Sequence, residues 1–130
     1  MSVRGVRGAI DVAANEAGAI LAATEALLAE MVAANDIRPD DLAAAFFTLT
    51  DDLDAAFPAQ AARRLGWAHV PLMDMREVPV PGSLPRCLRV LLLWNCEREA
   101  GQIVHVYRGK AQSLRPDLAA GGQGEKEQRS

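Results

Sequence analysis

The chain has 130 residues and a mass of 13.9 kDa, which allows one domain with one hydrophobic core and leaves no room for two. Half of the residues are hydrophobic and 24% are charged, so a wholly disordered chain is excluded. The net charge of -3 and the pI of about 5.3 give no electrostatic reason to expect a nucleic acid or an anionic membrane as a partner.

No segment predicts passage through a membrane or secretion. The longest strongly apolar run is Val90–Trp94, far short of the roughly 18 residues of a membrane span, and the first residues lack the hydrophobic stretch of a signal peptide. If Cys87 and Cys96 lie on one extended strand, they are too far apart for an internal disulfide. No second cysteine pair or histidine motif accompanies them, as a zinc site would need. We therefore expect a cytoplasmic protein without a metal ion.

The first half of the chain is rich in alanine and predicts helices, whereas the middle predicts strands. Val3–Ile10 is the first predicted strand. Asn15 is the predicted cap of a helix over Glu16–Ala34, and Asn35 is its stop. The helix carries an apolar stripe at helical spacing, which predicts a core-facing side: Ile20, Leu21, Thr24, Leu27, Leu28, Met31 and Val32.

Short elements follow the predicted helix. They are one helical turn at Pro39–Leu42, a strand at Ala45–Thr50, a short helix after Phe57-Pro58 through Leu65, and a strand at His69–Met73. Residues 78–85 contain three prolines and a glycine, which predicts an extended loop.

Cys87–Asn95 is the strongest predicted strand. Its run Val90–Trp94 does not alternate between apolar and polar residues, which predicts that both faces are buried. Helices can cover only one face in so small a protein, so the second face predicts an oligomer. The remaining predicted elements are a strand at Ile103–Tyr107, a surface segment at Ser113–Leu118 and a disordered tail over residues 119–130.

Arginine makes up 12 of the 14 basic residues. Arg7, Arg89 and Arg115 lie on or beside predicted strands, where an unpaired charge is costly. Arginine binds carboxylates through two parallel hydrogen bonds, so several converging arginines would bind a small polyanion. Compositional bias, or salt bridges to the 17 acidic residues, would explain the arginines equally well.

No set of residues for acid–base or nucleophilic catalysis emerges, and no glycine-rich phosphate loop is present. His69 and His105 each stand alone in strand-like surroundings, which favours structural roles. Asp74 and Glu77 follow a predicted strand end, where they form either a solvated edge or the polar wall of a pocket.

Several segments together carry a family resemblance: Arg4–Ala9, Phe57–Ala59 with Arg63, Val70–Leu72, Glu77–Val90, His105–Tyr107 and Leu114–Leu118. They resemble the monofunctional AroH-class chorismate mutases over Val3 to Leu118. The resemblance implies a single chorismate mutase domain over residues 1–118. It also implies an α+β fold, with a mixed β-sheet packed against helices and three subunits joined in a pseudo-α/β-barrel.

Enzymes of this family convert chorismate to prephenate by a pericyclic Claisen rearrangement in aromatic amino-acid biosynthesis. The reaction uses no cofactor, metal ion or covalent intermediate. Chorismate is a small dicarboxylate whose ether oxygen gains negative charge as its C–O bond breaks. Fixed positive donors that hold the compact conformer and stabilise this charge are therefore expected, and an acid–base set is not.

The resemblance also implies residue roles. Arg89 donates to the ether oxygen, Arg7 and Tyr107 bind the side-chain carboxylate, and Glu77 accepts a hydrogen bond from the ring hydroxyl; Arg89, Glu77 and Arg7 form the catalytic set. Arg63 and Arg115 lie near the mouth, close to the ring carboxylate. The apolar walls are formed by Phe57, Ala59, Leu72, Met73 and Leu114.

The resemblance places each site between neighbouring subunits. One chain then supplies Arg7, Arg89, Tyr107 and Arg115, and the other supplies Phe57, Arg63, Asp74 and Glu77. Asp74 is a departure, because the family commonly has cysteine or another small polar residue there, in contact with the ring hydroxyl. An aspartate can still accept that hydrogen bond, and it adds a negative charge close to Glu77.

Two other functions are consistent with a small α+β domain. One is a trimeric protein that binds a small carboxylate ligand without turnover, and the other is a structural interaction module whose arginines all form salt bridges. The presence of every expected arginine, together with Tyr107 and Glu77, argues against both.

Overall fold

The structure, a computed structural model of the chain, describes residues 1–114. Arg115, most of the predicted surface segment Ser113–Leu118 and the predicted tail over 119–130 lie outside these residues. The described elements are β1 (Ser2–Asp11), α1 (Ala17–Asn35), β2 (Leu42–Leu49), α2 (Ala59–Arg64), β3 (Leu72–Arg76), β4 (Cys87–Cys96) and β5 (Val106–Arg108), with 3-10 segments at Pro39–Asp41, Ala100–Gln102 and Gly109–Leu114.

The five strands form one sheet in the order β3-β2-β4-β1-β5. Strand β4 is antiparallel to both β1 and β2, whereas β5 runs parallel to β1 and β3 runs parallel to β2. The prediction of a mixed sheet with helices is confirmed. The trimeric barrel remains a prediction.

Helix α1 supplies much of the core on one side of the sheet. Six residues of the predicted stripe are buried, while Val32 is half-buried at its edge. A Cβ atom on Gly8 would lie 2.4 Å from the sulfur of Met31. The glycine therefore lets α1 lie directly on β1, next to Arg7.

The start of α1 differs from the prediction. The helix begins at Ala17, and its first turn has no side-chain cap. Asn15 instead accepts hydrogen bonds from the N–H groups of Asp54 (2.9 Å) and Ala55 (3.1 Å), and so ties a distant loop to the helix start. The predicted cap is wrong because asparagine serves turns as readily as helix ends. The predicted end at Asn35 is confirmed.

Strand β3 lies three residues beyond its predicted place at His69–Met73. Pro71 has no N–H to donate, but its carbonyl accepts the N–H of Ala45 at 2.9 Å, and pairing with β2 begins at Leu72. Asp74 is therefore in the middle of a strand and not in a loop.

Strand β5 is shorter than the predicted Ile103–Tyr107 because side chains replace strand pairing before it. Asn35 bonds both backbone groups of Val104, each at 2.8 Å. The His105 imidazole accepts the N–H of Arg7 at 3.0 Å. Regular pairing with β1 begins only at Val106, opposite Gly8.

Strand β4 alternates in burial within one chain, so the predicted burial of its second face by a partner subunit stays a prediction. Leu88, Val90, Leu92 and Trp94 are buried on the helix side, whereas Leu91 on the other side is 37% exposed. Within residues 1–114, the 3-10 segment Gly109–Leu114 covers this other side of the sheet around Ala9 and Tyr107, and neither α-helix covers it. We call it the open face and define it by strand register as Val3, Arg7, Phe46, Thr48, Met73, Met75, Arg89, Leu91 and Leu93.

Helix α1 is long and apolar enough to cross a membrane by length and composition, with a mean hydropathy of 1.6. Alanines, and not a run of strongly apolar residues, supply this hydropathy, so the apolar runs of the sequence do not predict it. In the structure the apolar stripe of α1 packs in the core with the sheet.

Candidate active site

A cavity of about 220 Å³ opens on the open face. Strand β1 lies between β4 and β5, and its Ala9 is opposite Arg89 on one side and Tyr107 on the other. This register brings together residues far apart in the sequence. The cavity is lined by Arg7, Gly8, Phe46, Thr48, Met75, Arg89, Val90, Leu91 and Tyr107.

Arg89 forms a two-point ion pair with Glu77. The Nε–Oε2 distance is 2.6 Å and the Nη2–Oε1 distance is 2.8 Å. The Thr48 hydroxyl also donates to Glu77 Oε2. The Arg89 guanidinium, with help from this hydroxyl, holds the pKa of Glu77 below its ordinary value against the opposing effect of burial. Glu77 is therefore a carboxylate that fixes the Arg89 guanidinium in one orientation.

This pair corrects one expectation from the family resemblance. The resemblance places Glu77 on the other chain from Arg89, but here both residues belong to one chain and contact each other. The alternation of β3 continues through Glu77, whose N–H donates to the carbonyl of Leu49 at 3.0 Å. Glu77 therefore belongs with Arg89, Arg7 and Tyr107.

Asp74 lies on the helix side of the sheet, opposite Phe47 of β2. Its Oδ1 accepts the N–H of Ala59, the first residue of α2, at 3.0 Å. Burial raises the pKa of Asp74, while the bond from Ala59 and the positive charge of Arg63 oppose that shift. Asp74 thus joins β3 to α2 and interacts electrostatically with Arg63.

Asp74 and Glu77 of one chain are not neighbours. Asp74 is on the helix side, whereas Glu77 bonds to Arg89 on the open face. The expectation that Asp74 places its negative charge beside Glu77 is therefore wrong within one chain.

A second cavity of about 460 Å³ lies near Asp74. Phe57 is part of its lining and is 71% exposed. Pro58, Gln60 and Arg76 line it as well. The structure therefore separates the predicted site residues of one chain into two groups, around Arg89 and around Phe57.

The remaining predicted site residues have mixed positions. Ala59 is 1% exposed, so its side chain belongs to the core. Leu72 is half-buried on the helix side, and Met73 is exposed on the open face. Leu114 lines a third cavity of about 320 Å³ beside Glu77 and Arg89. Arg63 is exposed on α2, and Arg115 lies outside the described residues.

Sequence reasoning missed Thr48, which lines the cavity and donates to Glu77. The sequence contained a signal for Thr48. Phe46 and Thr48 are two residues apart on a predicted strand and so lie on the same face, where a hydroxyl group beside an apolar side chain is unusual. The carboxylate that Thr48 binds could not be identified, because that pairing depends on the register between β2 and β3.

The group around Arg89 is suited to an anion. Two guanidinium groups and one phenol line a cavity whose other walls are mostly apolar. Charged donors in a partly apolar site bind carboxylates more strongly than they do in water. The arrangement therefore favours binding of an anion and stabilisation of negative charge.

Comparisons with known proteins agree with this chemistry. Residues 3–118 match the family model described as chorismate mutase type I. A protein named chorismate mutase AroH from Thermus thermophilus is 54% identical over 117 residues, covering 89% of this chain and 96% of that protein. The protein of the same name from Bacillus subtilis is 40% identical over 120 residues, covering 92% and 94%.

A solved structure is also similar. A chorismate mutase from Clostridium thermocellum superposes with a TM-score of 0.84 at 46% sequence identity, covering 85% of this chain and 98% of that one.

Proposed function

Because the chain belongs to the chorismate mutase type I family, whose members isomerise chorismate to prephenate in aromatic amino-acid biosynthesis, we propose that it catalyses this reaction at sites shared between subunits of a cytoplasmic homotrimer. The observation that carries the proposal is Arg89, which is fixed by its ion pair with Glu77 and lines a cavity together with Arg7 and Tyr107. The alternative of a binding protein without turnover is not favoured, because the similar proteins are named as enzymes.

Arg89 has the central role in this proposal. Glu77 occupies two of its N–H groups, and a guanidinium has five. The others can donate to the ether oxygen as its C–O bond breaks. Because Glu77 already sets the orientation, little reorganisation is needed when the negative charge develops, and such preset donors lower the barrier most.

The two carboxylates of chorismate bind to Tyr107 and to arginines other than Arg89 in this proposal. Arg7 and Tyr107 hold the side-chain carboxylate in the cavity, while Arg63 and Arg115 attract the ring carboxylate near the mouth. Glu77 accepts the hydrogen bond of the ring hydroxyl through the remaining lone pair of Oε1. Binding at both ends holds the compact conformer in which the two reacting carbons are close, and this lowers the entropic part of the barrier.

A second chain completes the site in this proposal. Phe57, Arg63 and Asp74 lie away from the Arg89 cavity within one chain, so they can reach a substrate there only from a neighbour. The open face supports such a contact because it exposes Val3 (55%), Met73 (54%) and Met75 (41%) in the single chain. Large apolar side chains grouped on one face mark an interaction surface.

A direct assay tests the proposed activity. The loss of chorismate is followed by ultraviolet absorbance with purified protein and no added metal ion or cofactor. We expect turnover to prephenate. Protein that binds chorismate in equilibrium dialysis but does not consume it would support the binding-protein alternative and overturn the proposal.

We expect light scattering to report three chains for the wild-type protein at micromolar concentration. Val3→Asp places a carboxylate in the open face outside the Arg89 cavity, and burying an unpaired charge in the subunit contact costs several kcal/mol. This variant is expected to be a folded monomer without activity. Ala22→Asp adds the same charge to the exposed side of α1 and should remain a trimer. A stable wild-type monomer would contradict the shared site.

We expect Asp74→Asn to remain active and to lower KM roughly threefold, because it removes a negative charge near a dianionic substrate. Asp74→Cys should behave alike. Burial raises the pKa of Asp74, so wild-type Asp74 takes up a proton at higher pH than an ordinary aspartate. The wild-type KM should therefore approach that of Asp74→Asn as the pH falls, and should do so at a higher pH than an ordinary aspartate would require. Equal KM values for the three proteins between about pH 5 and 9 would remove Asp74 from the site, and a large loss of activity in both variants would show a requirement for the carboxylate.

A further inference from the structure

His105 forms an unusual connection between two strands of the sheet. Its Nδ1 accepts the backbone N–H of Arg7 at 3.0 Å, one residue before the regular pairing of β1 with β5 begins at Gly8 and Val106. A ring nitrogen therefore stands where a strand carbonyl would otherwise accept. Because Nδ1 uses its lone pair, the proton of the neutral ring is on Nε2.

The segment that carries His105 is itself held firmly. Asn35 is 1% exposed at the end of α1 and bonds both backbone groups of Val104, the preceding residue. The imidazole is half-buried. His105 is therefore placed by the end of α1 and not by the strand that follows it.

The bond to Arg7 lies beside the cavity. Arg7 and Tyr107 both line it, one on each of the two strands that the imidazole connects. The spacing between these two side chains depends on how β1 and β5 sit against each other at Arg7. A displacement of about 1 Å in a group that binds substrate is enough to weaken its interaction strongly.

We propose that His105 is a positioning residue for the carboxylate clamp: its imidazole fixes the backbone of Arg7 against β5 and so sets the spacing between Arg7 and Tyr107. The inference rests on the proposed function, because it takes these two side chains as ligands of the substrate carboxylate. His105 acts through Arg7 and needs no contact with the substrate.

Two substitutions distinguish the effect of the hydrogen bond to Arg7 from the effect of the imidazole ring itself. His105→Leu removes the acceptor, and we expect KM for chorismate to rise about five- to tenfold, the effect of one lost net hydrogen bond, with kcat changed less than about twofold. His105→Asn places an amide oxygen near the position of Nδ1, and KM should return to within about twofold of the wild-type value. His69→Leu is the matched control, since it makes the same change at the exposed second histidine.

A double-mutant cycle tests whether His105 works through Arg7. Arg7→Ala alone should raise KM, and adding His105→Leu should raise it no further, because the side chain being positioned is absent. If the His105→Leu variant does not fold, His105→Gln replaces it, since its amide reaches the place of Nε2.

The outcomes separate the two proposals. An unchanged KM in Arg7→Ala overturns the proposed site itself. A raised KM in Arg7→Ala with an unchanged KM in the His105 variants overturns only the positioning role. The positioning role is also overturned if His105→Leu raises KM by the same factor in the wild-type and Arg7→Ala proteins, or if His105→Asn does not restore KM. Either result would mean that the histidine matters for the fold and not for Arg7.

Discussion

Arg89→Ala is expected to lower kcat by a factor of about 100 to 1,000 or more. Loss of one preset donor to a developing negative charge costs about 3–4 kcal/mol in the transition state. Stability should change far less, because the side chain of Arg89 is half-exposed and its ion pair with Glu77 is partly solvated. The kcat follows from chorismate absorbance, and thermal melting reports the fold.

Arg89→Lys should recover little of the lost activity. A lysine ammonium is a single charge on a flexible chain and cannot keep both contacts to Glu77 while it donates to the ether oxygen. Arg38→Ala is the control, because Arg38 is 77% exposed and pairs with Asp41 away from the cavity. Near-normal kcat in Arg89→Ala would show that the proposed roles are wrong.

Mixing two inactive variants is expected to restore activity. Arg89→Ala disables one group of site residues, and Arg63→Glu disables the other by repelling the ring carboxylate. In a head-to-tail ring, each shared site takes one group of residues from one chain and the other group from its neighbour. When the two variants are co-assembled in equal amounts, each group is intact in half of the sites, so about one quarter of the sites have both groups intact. Activity should therefore rise from near zero to about a quarter of the wild-type value.

The matched control for this experiment pairs Arg89→Ala with Glu77→Ala. Arg89 and Glu77 contact each other within one chain, so they belong to the same group of site residues. Each shared site then contains one of the two substitutions, and no mixture can restore activity. Recovery in this control would mean that Glu77 acts from the neighbouring chain. No recovery in the first mixture would mean that a site is complete within one chain.

Local patterns predicted the elements that form by local rules. The stripe of α1 and the end of this helix at Asn35 follow from helical spacing, and β4 follows from the apolar run Val90–Trp94. Strands β3 and β5 were misplaced for reasons that are not local. Pro71 shifts the start of β3, and the side chains of Asn35 and His105 occupy backbone groups that β5 would otherwise pair.

The site depended on information that spacing does not contain. Arg7 and Arg89 are 82 residues apart in the chain, and only the register of β1 between β4 and β5 brings them to one cavity with Tyr107. The family resemblance supplied that set. It misassigned Glu77, whose position becomes clear only when β3 is known to end at Arg76 and its alternation continues for one more residue.

The open face has a further consequence for how the enzyme behaves at low concentration. If the cavity around Arg89 needs a neighbour to supply Phe57 and Arg63, a dissociated chain can be fully folded and still inactive. Specific activity then follows mass action among protomers and declines on dilution, while the fold of each chain is retained. The amount of enzyme in the cell would set catalytic capacity more steeply than in proportion to the number of chains.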